Sequence, residues 1–176
     1  MDTRLTIKQI ELSIKWCVLI FNPRTDIMVP NLSYGLLNHE ADIAIINKSG
    51  YLTEIEIKRS LDDLKADFKK KVFHKDDKVR NFCYCLPLSI KDKATEVFDT
   101  HQEEIKTVYG TEEYKMPTVL WYNENGVIKV EWGLFNVNKS RKLFLEEREK
   151  IAKLMSMRYW NLLEENTQMP ENNDRI

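Results

Sequence analysis

The stretch from His39 to Lys58 reads His-Glu-Ala-Asp-Ile-Ala-Ile-Ile-Asn-Lys-Ser-Gly-Tyr-Leu-Thr-Glu-Ile-Glu-Ile-Lys, and it leaves the chain few ways to fold. Two runs rich in β-branched residues flank a short polar stretch that ends in glycine, the pattern of a hairpin. If Lys48, Ser49 and Gly50 form a three-residue loop, a type I turn closed by glycine in the left-handed region, Asn47 pairs with Tyr51. The register then runs back along both strands with partner numbers summing to 98, which sets Asp42 opposite Glu56 and Glu40 opposite Lys58. Opposed residues on neighbouring antiparallel strands hold their Cβ atoms about 4.5 to 5.5 Å apart on one face. Two carboxylates at that spacing repel each other, and a shared divalent ion would remove the repulsion.

Along the second strand Leu52, Ile55 and Ile57 alternate imperfectly with Glu54, Glu56 and Lys58, so one face is apolar and the other ionic. Glu40 and Glu54 share the ionic face as outer partners or plain strand-edge charges, and for Glu54 the strand-edge reading is preferred. Just beyond, from Lys58 to Arg80, nine Lys or Arg stand against five Asp, a local excess of +4 in a chain whose net charge is −1. A phosphate backbone lying beside the carboxylate pair would meet that basic stretch. Taken alone, a lysine-rich helix is a solvated face.

The rest of the chain supplies a scaffold. Thr6-Ile-Lys-Gln9 is a capping-box pattern, and Ile7, Ile10, Ile14, Cys17 and Phe21 recur at helical spacing, which predicts a first helix from Leu5 to Phe21. Glu11 lies on or beside its buried face, where it needs a cation or donor unless it reaches water. Ile27 to Leu37 predicts a first strand interrupted or led in by Pro30. Ser60-Leu-Asp-Asp63 opens a second helix with Leu61, Leu64, Phe68 and Val72 as its stripe. Its first amides would lie near the proposed ion and favour phosphate. Asn81 to Leu86 reads as a strand, and Ser89 starts a third helix carrying Ala94, Val97, Phe98 and Ile105. Pro117 to Tyr122 and Val127 to Trp132 form a second hairpin through Asn123-Glu-Asn-Gly126. Ser140 caps a long helix with Leu143, Phe144, Ile151, Leu154, Met155 and Leu162 on its inner side, and residues 167–176 read as a polar, disordered tail.

At 176 residues, 43% hydrophobic and 31% charged, the expectation is one soluble domain over 1–166. No apolar run approaches the roughly 20 residues of a membrane helix, and no signal-peptide order opens the chain, so a cytoplasmic location and no membrane partner are expected. Cys17, Cys83 and Cys85 read as reduced core residues, with the Cys83/Cys85 pair a weak metal signal. Five glycines and no glycine-rich loop argue against nucleotide triphosphate hydrolysis. His39, His74 and His101 lack metal-ligand spacing and read as surface or packing residues, with His74 within reach of a phosphate. Trp121, Tyr122 and Trp132 on the second hairpin read as packing.

The order helix, strand, Asp42-bearing strand, Glu56-x-Lys58 strand, helix, strand resembles the PD-(D/E)xK nuclease superfamily, and within it the small single-domain bacterial or phage members. The likeness rests on Asn-His-Glu-Ala-Asp42, on Tyr-Leu-Thr-Glu-Ile-Glu56-Ile-Lys58-Arg-Ser60 and on a basic helix ending near His74, and extends weakly to Arg158-Tyr-Trp160. Ala41 departs from the proline of the superfamily's name, so the first half of the motif rests on Asp42 alone. The resemblance implies a restriction-endonuclease-like core: a mixed α/β fold with a central mixed β-sheet flanked by helices, here with an added β-hairpin and a long C-terminal helix. It implies that Asp42, Glu56 and the main-chain carbonyl of Ile57 bind Mg²⁺ or Mn²⁺, with Lys58 positioning water and Glu11 as the helix acid that some members add. Ser60, Lys65, Lys69 and His74 are then the candidate nucleic-acid contacts.

Three function classes follow from these residues: a divalent-metal-dependent nuclease hydrolysing phosphodiester bonds in DNA, a non-catalytic DNA-binding module on the same scaffold, and an interaction protein whose acids are merely solvated. A single small basic groove leaves a homodimer open as a way to reach both strands.

Overall fold

A computed structural model describes residues 5–33, 35–70, 74, 76–137 and 140–166, the last three by backbone alone. The chain divides into two compact units, Met1–Leu143 and Phe144–Ile176. The first holds a six-stranded sheet in the order β1 (Ile27–Leu32), β2 (Ala41–Ile46), β3 (Leu52–Ile57), β4 (Val79–Pro87), β5 (Val119–Tyr122) and β6 (Ile128–Glu131). β3, β4 and β5 are mutually parallel, and the other neighbours pair antiparallel, so the sheet is mixed and the fold is α/β. The element order α1 (Ile7–Lys15), β1, β2, β3, α2 (Leu61–Asp67), β4 follows the sequence.

The hairpin has the register read from the loop. Ile43 pairs with Ile55, Ala44 with Glu54, Ile45 with Thr53 and Ile46 with Leu52. Asn47 N donates to Tyr51 O at 3.0 Å, while the Asn47 side-chain oxygen accepts from Ser49 N and Tyr51 N. Gly50 closes the turn at φ +84°, which only glycine adopts without strain. The second hairpin repeats the device: Asn123 Oδ1 accepts from Asn125 N and Val127 N.

Side chains alternate across β3, so its two faces pack against different layers. Ile43, Ile45, Ile55, Ile57, Cys83, Cys85 and Leu120 form one apolar face with Ile10 and Ile14 of α1 and with Phe21. The other face carries Glu54 and Glu56 beside the β4 aromatics Phe82 and Tyr84. Phe68, which closes α2, Phe98 of α3 (Lys91–Thr100) and Tyr109 of α4 (Gln102–Tyr109) cover those aromatics. The central strands are thus covered on both sides, and every residue of β3 is buried. Cys83 and Cys85 are buried free thiols.

Several boundaries differ from the periodicity. The capping box is present, with Gln9 N donating to Thr6 Oγ1 and Thr6 N to Gln9 Oε1, but α1 stops at Lys15. Ile20 N and Phe21 N both bond to Cys17 O in a tight turn, and this turn rather than a helical face brings Phe21 to the core. β1 ends at Leu32, with Pro30 tolerated because the strand is a sheet edge. The third helix splits at His101 into α3 and α4, keeping Ala94, Val97, Phe98 and Ile105 buried. Val72 of the expected α2 stripe and the tail at 167–176 lie outside the described residues.

The second unit is α5 (Leu145–Asn166). Phe144 N donates to Glu147 Oε2 at 2.7 Å at its start. Ser140 is not its cap; the Ser140 hydroxyl instead accepts from the Arg80 guanidinium at 3.2 Å. Ile151 is buried, whereas Met157, Tyr159, Trp160 and Leu162 are exposed. Among the described residues no helix is long and apolar enough to cross a membrane.

Candidate functional site

The β2–β3 ladder runs no further than Ile43 and Ile55, and just past it Asp42 takes over the role of a ladder acceptor. Asp42 Oδ2 accepts the main-chain N–H of Ile57 at 2.7 Å. Burial pushes its carboxyl up to about 6, and the negative charge of Glu56 adds to the shift; the Ile57 N–H, Lys58 and Lys70 only partly oppose it. Asp42 and Glu56 therefore feel each other across the strand pair, as the register requires.

Glu56 divides its two oxygens. Oε1 accepts from Lys58 Nζ at 2.6 Å and from Lys70 Nζ at 3.1 Å. Oε2 is buried and takes no hydrogen bond among the described residues. Both lysines also reach Asp67 Oδ1, at 2.8 Å from Lys58 and 2.6 Å from Lys70, so two ammonium groups bridge the same two acids. Burial works to lower the Lys58 pKa, yet Glu56 and Asp67 outweigh it and hold the ammonium above its ordinary range. Lys70 is raised as well, against the effect of burial, by Asp67 and Glu56.

With Lys70, Asp67 is a residue that sequence reasoning missed. It ends α2, three residues beyond Leu64 and next to Phe68, so an acid on a buried helical stripe was the available signal. Its second oxygen accepts from Tyr84 Oη at 3.1 Å and from His74 Nε2 at 2.9 Å. Burial alone would raise its pKa, but His74 and Lys58 hold it well below the usual carboxylate range.

Glu54 is not a strand-edge charge. It is 0% exposed, in the middle of a fully buried strand, and it gathers two histidines that are 35 residues apart. His74 Nδ1 lies 2.7 Å from Oε1, and His39 Nε2 lies 2.9 Å from both oxygens. Burial opposes ionisation of Glu54, and the two rings lower its pKa nonetheless. His74 is 1% exposed, with Glu54 on one ring nitrogen and Asp67 on the other, so it is enclosed rather than open to a phosphate. Burial would discharge it, but bonds to Asp67 and Glu54 push it up to about 10. Its backbone sits at φ +41°, a left-handed conformation that histidine tolerates better than most residues.

Other expected site residues stay outside this cluster. α1 packs on the opposite face of the sheet, and the charge acting on Glu11 is that of Lys8; burial raises the Glu11 pKa. Glu40 is exposed, and the Lys58 side chain turns to Glu56 and Asp67 instead. Ser60 caps α2 by accepting from Asp63 N at 3.1 Å, while Asp63 Oδ2 accepts Arg59 N at 3.0 Å. With Asp62 and Asp63 in its first turn, α2 carries its own negative charge there and offers no phosphate cradle. Lys65 and Lys69 are exposed. The local basic excess is partly consumed, since Lys58 and Lys70 face Glu56 and Asp67, and Lys78 pairs with Asp76.

Among the described residues four carboxylates (Asp42, Glu54, Glu56, Asp67) meet two ammoniums (Lys58, Lys70) and two imidazoles (His39, His74). Among the described residues, the oxygens of these carboxylates that no ammonium or imidazole bonds lie at Asp42 and at Glu56 Oε2. That pair is an oxygen-only donor set suited to a hard divalent cation. No family model and no curated protein matches the chain. Among solved structures, the SPO1766 protein of unknown function from Silicibacter pomeroyi is similar, with 14% identity and a TM-score of 0.47 over 83% of this chain and 85% of that one.

Proposed function

We propose that the protein is a divalent-metal-dependent nuclease with a restriction-endonuclease-like core, hydrolysing phosphodiester bonds in DNA. The observation that carries this is the unbonded, buried Oε2 of Glu56 beside an Asp42 carboxyl whose pKa is raised, with the Lys58 ammonium on the other Glu56 oxygen. An acid raised in pKa by a second acid, and a buried carboxylate oxygen on that second acid with no hydrogen bond among the described residues, fit a cation-binding role, and the residues that would hold Mg²⁺ or Mn²⁺ are Asp42, Glu56 and the Ile57 carbonyl. When bound, such an ion supplies Lewis-acid polarisation of the phosphoryl oxygen and a bound water of lowered pKa.

Lys58 acts as an ammonium throughout. Because Glu56 and Asp67 hold its proton, it donates hydrogen bonds to the attacking water and to the charge developing on phosphorus oxygens, rather than accepting a proton. Asp67 is a positioning residue that fixes Lys58 from the helix side. The exposed Lys65 and Lys69 suit phosphates further along a bound strand.

One observation favours the non-catalytic DNA-binding alternative: Lys58 and Lys70 already bridge Glu56 and Asp67, neutralising part of the site. Cleavage separates the two. Purified protein with Mg²⁺ or Mn²⁺ should cut plasmid or single-stranded DNA, and Asp42→Ala and Lys58→Ala should not. Salt-dependent binding without metal-dependent turnover selects the binding module, and equal nicking by all three proteins marks a contaminant and ends the nuclease claim.

A further inference from the structure

His39, Glu54 and His74 converge one pleat repeat away from Glu56, and the nuclease chemistry uses none of them. Their ligand-type atoms lie within 4.8 Å of one another. His39 comes from the loop before β2, Glu54 from the middle of β3, and His74 from the segment between α2 and β4.

The far side of each ring is already engaged. His39 Nδ1 lies 2.6 Å from the side-chain oxygen of Asn38, which can only accept, so Nδ1 carries the proton. His74 Nε2 lies 2.9 Å from Asp67 Oδ2 and donates to it. Both rings therefore present their second nitrogen, His39 Nε2 and His74 Nδ1, to the same carboxylate. Outer-shell oxygens that fix the ring tautomer and aim the second nitrogen are what metal-binding histidines have. The Asn38 backbone is tied down in turn, with its N–H donating to Asp76 Oδ2 at 3.0 Å.

We infer that His39 Nε2, Glu54 and His74 Nδ1 form a binding site for a transition-metal dication of the zinc class. Two imidazole nitrogens and one carboxylate suit Zn²⁺ and match poorly the all-oxygen preference of Mg²⁺. In the bare site each nitrogen needs a proton between itself and Glu54. One dication carries the charge of those two protons and releases them to solvent on binding. Tetrahedral Zn²⁺ sets ligand atoms about 3.3 Å apart, so the present 2.7 to 2.9 Å separations need to open by only about half an ångström. The His39 side chain is 12% exposed against 0% for Glu54, so the ion and a fourth ligand enter from the His39 side. The neighbouring group of Glu56, Asp67 and His74 is less available, because the Lys58 and Lys70 ammoniums bridge Glu56 and Asp67.

Metal-stripped full-length protein titrated with Zn²⁺ by calorimetry, and with Co²⁺ by visible absorption, tests the site without reference to DNA cleavage. The wild type should take up one equivalent and show Co²⁺ ligand-field bands. His39→Ala should weaken Zn²⁺ by at least about tenfold and lose those bands, and Asn38→Ala should weaken it by about tenfold through the lost ring support. Asp42→Asn, which disables the proposed nuclease cation pair, should bind Zn²⁺ as the wild type does. No uptake by the wild type, uptake indifferent to His39→Ala, or uptake abolished by Asp42→Asn overturns the assignment. Urea unfolding of each variant confirms that a lost site is not a lost fold.

Discussion

Lys58 Nζ lies 2.8 Å from Asp67 Oδ1, joining the residue just past β3, the last of the Glu-x-Lys triplet, to the end of the helix that follows it. The pair is buried, and Glu56 and Lys70 complete it. Its consequence is that the lysine of a candidate active site is held charged and aimed by a residue outside the motif.

Asp67→Asn should therefore be severely destabilising. It removes one of the two acids that face each of Lys58, Lys70 and His74, and removing one partner of a buried ion pair costs about 3–5 kcal/mol. Urea denaturation measures this, and a loss below about 1 kcal/mol would show that solvent already screens the cluster.

Asp42→Asn should act in the opposite direction. A carboxyl raised from 3.8 to about 6 contributes stability that is fully present below its unfolded pKa and lost as pH rises through the folded one. At pH 8 the charged form is a liability, so the neutral amide, which still accepts the Ile57 N–H, should gain about 1 to 2 kcal/mol. Near pH 4 the gain should vanish. Paired urea curves at the two pH values check the sign.

His74 predicts the alkaline limb. Its pKa rises from 6.5 to about 10 in the folded state, so its contribution is complete below 6.5 and disappears as pH climbs through about 10. The wild type should lose stability steadily across that window. His74→Asn, chosen because asparagine accepts a positive φ, should start less stable and show a flatter pH profile. Identical slopes would place the alkaline loss elsewhere.

Lys58→Ala should lower any metal-dependent DNA cleavage by about 10²-fold or more, the scale of removing a preorganised charge donor. Lys58→Arg should fail to rescue it, because a planar guanidinium cannot occupy the compact position between Glu56 Oε1 and Asp67 Oδ1. Chelation by EDTA should silence the wild type, and single-turnover gels read all three.

Gly50→Ala tests the hairpin itself. Forcing a Cβ onto φ +84° should cost about 1 kcal/mol while leaving the strand register intact. Thermal unfolding gives the cost, and amide cross-peaks between Asn47 and Tyr51 report the register.

Much of this architecture was legible because local rules dictate it. The Asn47–Tyr51 closure and the Asn123–Val127 closure follow from asparagine and glycine at set positions in short loops. The pairing of Ile43 with Ile55, one step inward from Asp42 and Glu56, follows from counting outward from the first of those closures. Helix ends were less legible: α1 stops at Lys15 although the apolar spacing continues to Phe21, because a turn can deliver the same side chain to the core.

The amino-acid order alone determined the strand register and the two-faced character of β3, because turn length and the two-residue pleat are properties of the local backbone. Only the tertiary structure decided which charges meet. His39, Glu54, Asp67, Lys70 and His74 come from separate elements and converge when α2 and its flanking segments close over the ionic face. Once that face is buried, water no longer screens its charges, and the acids and bases that looked like solvated surface must find one another.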